Sequence, residues 1–253
     1  MAAAYDTYDY PSYWIGREYE HGAEIIVIKA FLEKLPKITS IIEIGAGFGR
    51  LASSYIYRAN KVTLVDPSAK LLKLARKNVK SIKVKFTQST IENLNNKIRR
   101  NSTDLVVLVR VLHHINDIDK AFSTINRILN INGYFILEFA NKRHLKATIA
   151  QFLKGNLTFP LEIFPEDRRS KKSKREKVLP FINYHPDIIK QKLKENKFEI
   201  IEIRSVSNIR SPFMKRLLST EVCLAIEKNI QKILAIVNFG PSIFILAHKK
   251  DNI

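Results

Sequence analysis

The sequence predicts an α/β protein with a mostly parallel sheet, and three observations carry that reading. Short apolar runs alternate with amphipathic helical patterns between Ser40 and Phe139, which is the rhythm of βαβ units. Within Asp104–Val109 the residues after the acid are uniformly apolar, as in a strand covered on both faces. A glycine-rich turn, Gly45-Ala46-Gly47-Phe48-Gly49, stands between one apolar run and a helical pattern, the place where an open α/β sheet forms a ligand crevice.

The elements follow in order. Glu18–Leu35 carries Ile25, Ile28, Phe31, Leu32 and Leu35 at helical spacing and is stopped by Pro36. Ser40–Ile44 reads as the first strand, Arg50–Ala59 as the helix after the glycines, and Lys61–Asp66 as the second strand. Ser68 is placed to cap a helix over Ala69–Val79, whose Leu71, Leu72 and Ala75 form the apolar stripe. Ile82–Thr87 alternates with a period of two. Asp104–Val109 is the fourth strand, Asp117–Leu129 a helix, and Gly133–Phe139 the fifth strand. Leu145–Leu153 reads as a helix. Leu157–Pro180, with three prolines, reads as an inserted loop or lid. A helix over Pro186–Asn196, a strand over Lys197–Val206, a mostly helical Pro212–Val237 and a last strand over Ser242–His248 complete the pattern.

Hydrophobic residues make up 45% of the 253, too many for a disordered chain. One domain is expected over 1–253, with an N-terminal flap and helix at 1–36 and a basic insertion at about 141–184. One cysteine, Cys223, excludes a disulfide scaffold and a cysteine-based zinc cluster and fits a reducing compartment. No metal site is expected. The first residues lack a basic and apolar leader, so a cytoplasmic protein is expected. Forty-three Lys and Arg against 24 Asp and Glu leave a formal charge of +19. That excess suits nucleic acid, an anionic membrane surface or an acidic small substrate. Arg168–Lys177 concentrates seven basic residues with one Glu, which fits either a solvated loop or an anionic contact.

The chemistry is concentrated around the glycines. The spacing is G-x-G-x-G, not the G-x-G-x-x-G of dinucleotide folds. Glu43, two residues before Gly45, would repel a pyrophosphate and suits a ligand carrying positive charge, an ammonium or a sulfonium. Asp66 ends the second strand, where a carboxylate accepts hydrogen bonds from ribose hydroxyls.

On these residues the chain resembles the class I S-adenosylmethionine-dependent methyltransferases, most of all the small-molecule group of methyltransferase type 11 that includes ubiquinone- and menaquinone-biosynthesis enzymes. The resemblance runs from about Ile41 to Asn141 and returns weakly at the C-terminus. It implies a Rossmann-like, seven-stranded, mostly parallel sheet with helices on both faces and an antiparallel last strand beginning near Gly240-Pro241. It implies that Glu43, Gly45, Ala46 and Gly47 hold the methionine part of S-adenosylmethionine, and that Asp66 with Pro67 holds the ribose. The product would be S-adenosylhomocysteine. Gln88-Ser89-Thr90-Ile91-Glu92-Asn93-Leu94 is similar to the family's adenine-contacting loop. Thr90 replaces the usual acid, so the Thr90 hydroxyl or the Ile91 backbone would serve instead. Val111-Leu112-His113-His114 is similar to the family's turn after the fourth strand.

Methyl transfer rests mainly on positioning and exclusion of water, and a base is needed only for a protonated acceptor. No catalytic residue is assigned; His113 and His114 are weak candidates. Arg110 is expected to touch cofactor or acceptor, or to cap its strand. The aromatic cluster Tyr5, Tyr8, Tyr10, Tyr13 and Trp14, with Arg17, reads as a flap over the cofactor, with Tyr13 and Arg17 as its contacts. The leading expectation is a methyltransferase acting on a small-molecule or lipid-like acceptor. An RNA methyltransferase is the first alternative, favoured by the basic surface and disfavoured by the lack of an N-P-P-Y-type tetrapeptide after the fourth strand. A nicotinamide-dependent oxidoreductase is disfavoured by the glycine spacing and Glu43. A non-catalytic cofactor-binding assembly factor is a further alternative.

Overall fold

The computed structural model describes Asp6 and residues 9–175 and 178–250. Strands β1 (Ser40–Ile44), β2 (Lys61–Asp66), β3 (Val84–Gln88), β4 (Thr103–Leu108), β5 (Leu129–Ala140), β8 (Phe198–Val206) and β9 (Ser242–Lys249) form one sheet in the order β3-β2-β1-β4-β5-β9-β8. The pairings from β3 through β5 are parallel, and β9 runs antiparallel to both neighbours. The two-residue strands β6 (Glu166–Asp167) and β7 (Ile182–Asn183) make a separate antiparallel ladder. Strand order reverses between β1 and β4, so a crevice opens beyond their carboxyl ends.

β4 shows why the sheet is buried on both faces. Val106 and Leu108 pack on one side with Phe122, Phe135 and Phe139. Leu105 and Val107 pack on the other with Val27, Ile28, Phe31 and Tyr55. The first side is covered by α3 (Ile118–Ile128) and α6 (Pro186–Glu195), the second by α1 (Glu18–Leu32). Ser68 accepts the Leu71 N–H at 3.1 Å and caps α2 (Ala69–Asn78), as its sequence position predicts.

The structure corrects two local expectations. Arg50–Ala59 is not an α-helix but two short 3-10 turns, Ala52–Ser54 and Ile56–Arg58. The Ser54 hydroxyl donates to the Leu51 carbonyl at 2.6 Å, and Tyr55 leaves helical geometry at φ −137° to reach the buried Glu43. These side-chain bonds compete with the helical ladder. The stretch expected as loop from Leu157 holds a 3-10 turn at Phe159–Leu161, the β6–β7 ladder and a short helix, α5 (Lys171–Arg175), built from the basic run itself. Its ends meet: Asn141 bridges Tyr184, with Tyr184 N–H donating to the Ala140 carbonyl at 2.9 Å. The helix before it is α4 (Leu145–Phe152); the late helical stretch divides into α7 (Pro212–Leu217) and α8 (Thr220–Ala235). No helix among the described residues is long and apolar enough to cross a membrane.

Candidate active site

At the end of β1 the chain turns through Gly45 at φ +76°. The Gly45 and Ala46 N–H groups both donate to the Val65 carbonyl, at 2.8 and 2.9 Å. A β-carbon on Gly45 would stand 2.1 Å from Val111 Cγ2, so both the turn and the close approach of the segment after β4 require glycine. Gly47 continues the turn at φ +54° and donates its N–H to Asp66 Oδ2 at 2.8 Å. Asp66 Oδ1 accepts the Ser68 N–H, also at 2.8 Å. Burial holds the Asp66 carboxyl above its ordinary range, partly offset by these two N–H groups.

A cavity of about 310 Å³ opens beside these residues. It is lined by Gly45, Gly47, Asp66 and Pro67, by Ser89, Thr90, Ile91 and Glu92 after β3, and by Arg110, Val111 and His114 after β4. The sequence-predicted Gly45, Gly47, Asp66, Pro67, Thr90, Ile91 and Arg110 thus converge on one space. Ala46 is buried beneath it and packs in the core on the α1 side. Glu43 does not line the cavity. Its carboxylate accepts the Tyr55 hydroxyl, and burial raises its pKa to about 7.

The N-terminal segment crosses this crevice. The Ser68 hydroxyl donates to Asp6 at 2.5 Å, Tyr10 lines the cavity and lies over Gly47, and Trp14 sits on the Arg50 guanidinium, 3.5 Å from its carbon. The flap contact with the cavity is therefore Tyr10; Tyr13 and Arg17, expected there, line a neighbouring cavity instead. The 3-10 turn Ser12–Trp14 carries Tyr13 past the first cavity, and the Arg17 guanidinium lies over its ring at 4.2 Å. Tyr5 and Tyr8 lie outside the described residues.

Beneath the flap lies Glu24, fully buried on α1. One oxygen accepts from Arg50 and the other from Arg110, each at 2.6 Å. Although burial works against ionisation, the two guanidinium groups hold the Glu24 carboxyl below its usual range. Arg110 has φ +62°, and its backbone N–H donates to Glu138 Oε2 at 2.8 Å.

Arg110 also lines the second cavity, of about 250 Å³, with Tyr13, Arg17, His113, Glu138, His144 and Arg210 among its walls. Glu138 is buried on β5, and its other oxygen accepts the Ser242 hydroxyl at 2.5 Å. Burial raises its pKa, with the nearby Arg110 charge opposing. His113 is buried with its Nδ1 lacking a hydrogen-bond partner, and burial next to His114 and Arg110 keeps it neutral. His114 faces the first cavity, and its Nδ1 donates to the Pro180 carbonyl at 2.6 Å. The two histidines therefore separate, one to each cavity. His144, Arg210 and Pro241 are shared with a third space, an open apolar groove of about 670 Å³ between α4, α7 and the end of α8.

Sequence reasoning missed Tyr10 as the cavity contact and missed Glu24 and Glu138 altogether. The signal for Glu138 is a lone acid within the apolar run Gly133–Phe139; for Glu24 it is an acid four and seven residues before the buried Ile28 and Phe31, on the same helix face.

Residues 42–137 match the model of a methyltransferase domain. Similar folds occur in a protein from Listeria monocytogenes assigned as an S-adenosylmethionine-dependent methyltransferase (TM-score 0.65, 18% identity, 92% of this chain and 100% of that one). A SAM-dependent methyltransferase from Thermotoga maritima gives 0.63, 18% identity and 98% of each chain. An S-adenosylmethionine-dependent methyltransferase from Mesorhizobium loti gives 0.60, 16% identity, 90% of this chain and 98% of that one. No curated protein matches the sequence.

Proposed function

We propose that this chain is an S-adenosylmethionine-dependent methyltransferase, a reading supported by the methyltransferase-domain match over residues 42–137 and by the fold, and that it methylates an acceptor with a polar head and an apolar, lipid-like body. The observation that carries the reading is the chain of three spaces. Arg110 joins the cofactor cavity to a polar cavity, and His144, Arg210 and Pro241 join that cavity to an apolar groove.

The first cavity fits the cofactor. Its two cavity glycines, Gly45 and Gly47, turn at positive φ and bring bare backbone to the cavity wall, and Asp66 presents a buried carboxylate whose remaining lone pairs suit ribose hydroxyls. Gly45 and Gly47 would flank the methionine part, Asp66 and Pro67 the ribose, and Ser89 to Glu92 the adenine. When bound, the cofactor supplies a methyl group on a positively charged sulfur. Tyr10 covers the crevice and excludes water.

The residues of the second cavity would receive the acceptor's polar head. His113 Nδ1, buried and unpartnered, offers it a hydrogen bond. Glu138 has a raised pKa because it is buried, so it is suited to take the proton that an acceptor hydroxyl or amine must lose. Arg110, ion-paired with Glu24, borders both spaces. A small soluble acceptor would leave the groove without a role. An RNA acceptor draws support from the basic run, but the groove's lining is mainly aliphatic where single-stranded bases would need aromatic platforms.

The test pairs calorimetric titration of S-adenosylhomocysteine with transfer of radiolabelled methyl groups to total lipid extract, small-metabolite and RNA fractions. Asp66→Ala is expected to abolish S-adenosylhomocysteine binding. Glu138→Gln should retain that binding and lose at least about a hundredfold in turnover, the low end of what general bases contribute. Label recovered in the RNA or aqueous fraction, and not in the organic phase, would refute the acceptor reading.

A further inference from the structure

The groove belongs to a wider surface with an unusual distribution of side chains. α4 and its C-cap residue place Leu145, Ile149, Phe152 and Leu153 at i, i+4, i+7 and i+8, the stripe that normally faces a core. Here all four are exposed, Leu153 to 84%, and no residue of α4 is buried. α7 across the groove repeats this: Phe213 and Leu217 are 69% and 68% exposed, and none of its residues is buried. Leu145, Ile149, Leu153 and Met214 line the groove itself, and exposed apolar surface gathered in this way marks an interaction site.

Cations rim the same surface. Lys146 and Lys154 are exposed on and just after α4, Arg210 and Arg216 before and within α7. None of the four is in an ion pair among the described residues. Arg210, Arg168 and Lys146 converge on His144, where burial and these charges lower its pKa to about 4. Arg168, the first residue of the basic run, is near enough to His144 to contribute to that shift. Between residues 142 and 178 the sequence has 11 Lys and Arg against four Asp and Glu.

We propose that the face formed by α4, α7 and the groove between them docks on an anionic lipid bilayer. The apolar side chains would enter the boundary between headgroups and acyl chains while the rim cations meet anionic headgroups. The occupant follows from charge and side-chain type. A second copy of the chain would oppose cations to cations, since the formal charge is +19. Nucleic acid would meet the cations but leave Leu145, Ile149, Leu153 and Leu217 in contact with phosphate and water. A bilayer with anionic lipid satisfies both sets. The proposal deepens the acceptor reading, on which one of its consequences rests: a lipid-like acceptor would pass from the bilayer through the groove to His113 and Glu138 without crossing water.

The test is co-sedimentation of the full chain with vesicles of phosphatidylcholine alone or with about 30% phosphatidylglycerol. The expected result is binding at least about tenfold tighter to the anionic vesicles, weakened when salt rises from about 0.1 M to about 0.5 M. Leu153→Asp with Phe213→Asp, and separately Lys146→Glu with Lys154→Glu, should each weaken that binding about tenfold or more. S-adenosylhomocysteine affinity should be unchanged in both, which verifies that the variants are folded. Wild type left in the supernatant with both vesicles would overturn the proposal, as would binding insensitive to both double substitutions. So would a dimer in sedimentation velocity that Leu153→Asp with Phe213→Asp dissociates. The two readings fail separately. Vesicle binding without label in the organic phase upholds the docking face and removes the lipid acceptor. Label in the organic phase without vesicle binding does the reverse.

Discussion

Glu43 gives a stability prediction with a definite sign. The carboxyl is buried, its partner is the Tyr55 hydroxyl, and burial raises its pKa from 4.5 to about 7. In the unfolded chain it ionises near the ordinary value, so between the two pKa values the folded state holds a proton that the unfolded state has lost. Stability therefore falls as pH rises through that window. With 1.36 kcal/mol per pKa unit, ionising this one group removes about 3 kcal/mol above the window. About 2.5 kcal/mol of that is lost between about pH 5 and about pH 8. Glu43→Gln keeps the shape and an acceptor for Tyr55 but cannot ionise. Urea unfolding of both proteins at the two pH values isolates the group, because every other titration is common to them. The Gln variant should gain about 2.5 kcal/mol on wild type when pH is raised, with unchanged denaturant slope. A difference that stays constant across the window, or that shifts in favour of wild type, would refute the placement of Glu43 as a buried carboxyl turned from the crevice onto Tyr55.

Two further substitutions probe the crevice itself. Glu24→Gln leaves Arg50 and Arg110 with no full counter-charge beneath the flap and should cost about 3–5 kcal/mol in denaturant unfolding; fluorescence of Trp14, the single tryptophan and a neighbour of Arg50, should change in the folded state. Gly45→Ala should cost about 2–3 kcal/mol and weaken S-adenosylhomocysteine in calorimetry, and adding Val111→Ala should recover only part of the stability, since it relieves the 2.1 Å contact but not the φ of +76°.

The sheet was legible because its periodicities are enforced by burial. β1 and β2 have the bounds that their apolar runs predict, Ser40–Ile44 and Lys61–Asp66. Leu105 to Leu108 alternate between two cores, which is why that run lacks polar residues. Legibility ends where side chains override backbone preference. Ser54 and Tyr55 divert their segment from a helix through bonds to Leu51 and Glu43, and no local pattern announces a bond to a residue on another strand. The crevice residues that follow strand ends, Gly45, Asp66, Thr90 and Arg110, were readable because topology alone brings strand ends together. Glu24 and Glu138 were not, because each meets Arg110 only in three dimensions, 86 and 28 residues away in the chain. Tyr10 was readable as a flap aromatic but not as the one that reaches Gly47.

Arg110 shows how these distant groups act as one device. A left-handed, non-glycine residue at a strand end is costly, about 1–3 kcal/mol, and it persists where surroundings over-determine it. Here the backbone N–H is held by Glu138 and the guanidinium by Glu24. The first carboxylate lies in the polar cavity, and the second ties the residue to α1, directly after the flap. A left-handed turn at this residue directs the chain away from β4 just where the crevice opens, and it lets one side chain border both cavities. A glycine would accept the backbone conformation without strain but would leave Glu24 with a single cation and the wall between the cavities without a side chain. The strain at Arg110 is therefore best understood as the cost of one fixed, ion-paired side chain that borders both cavities at once.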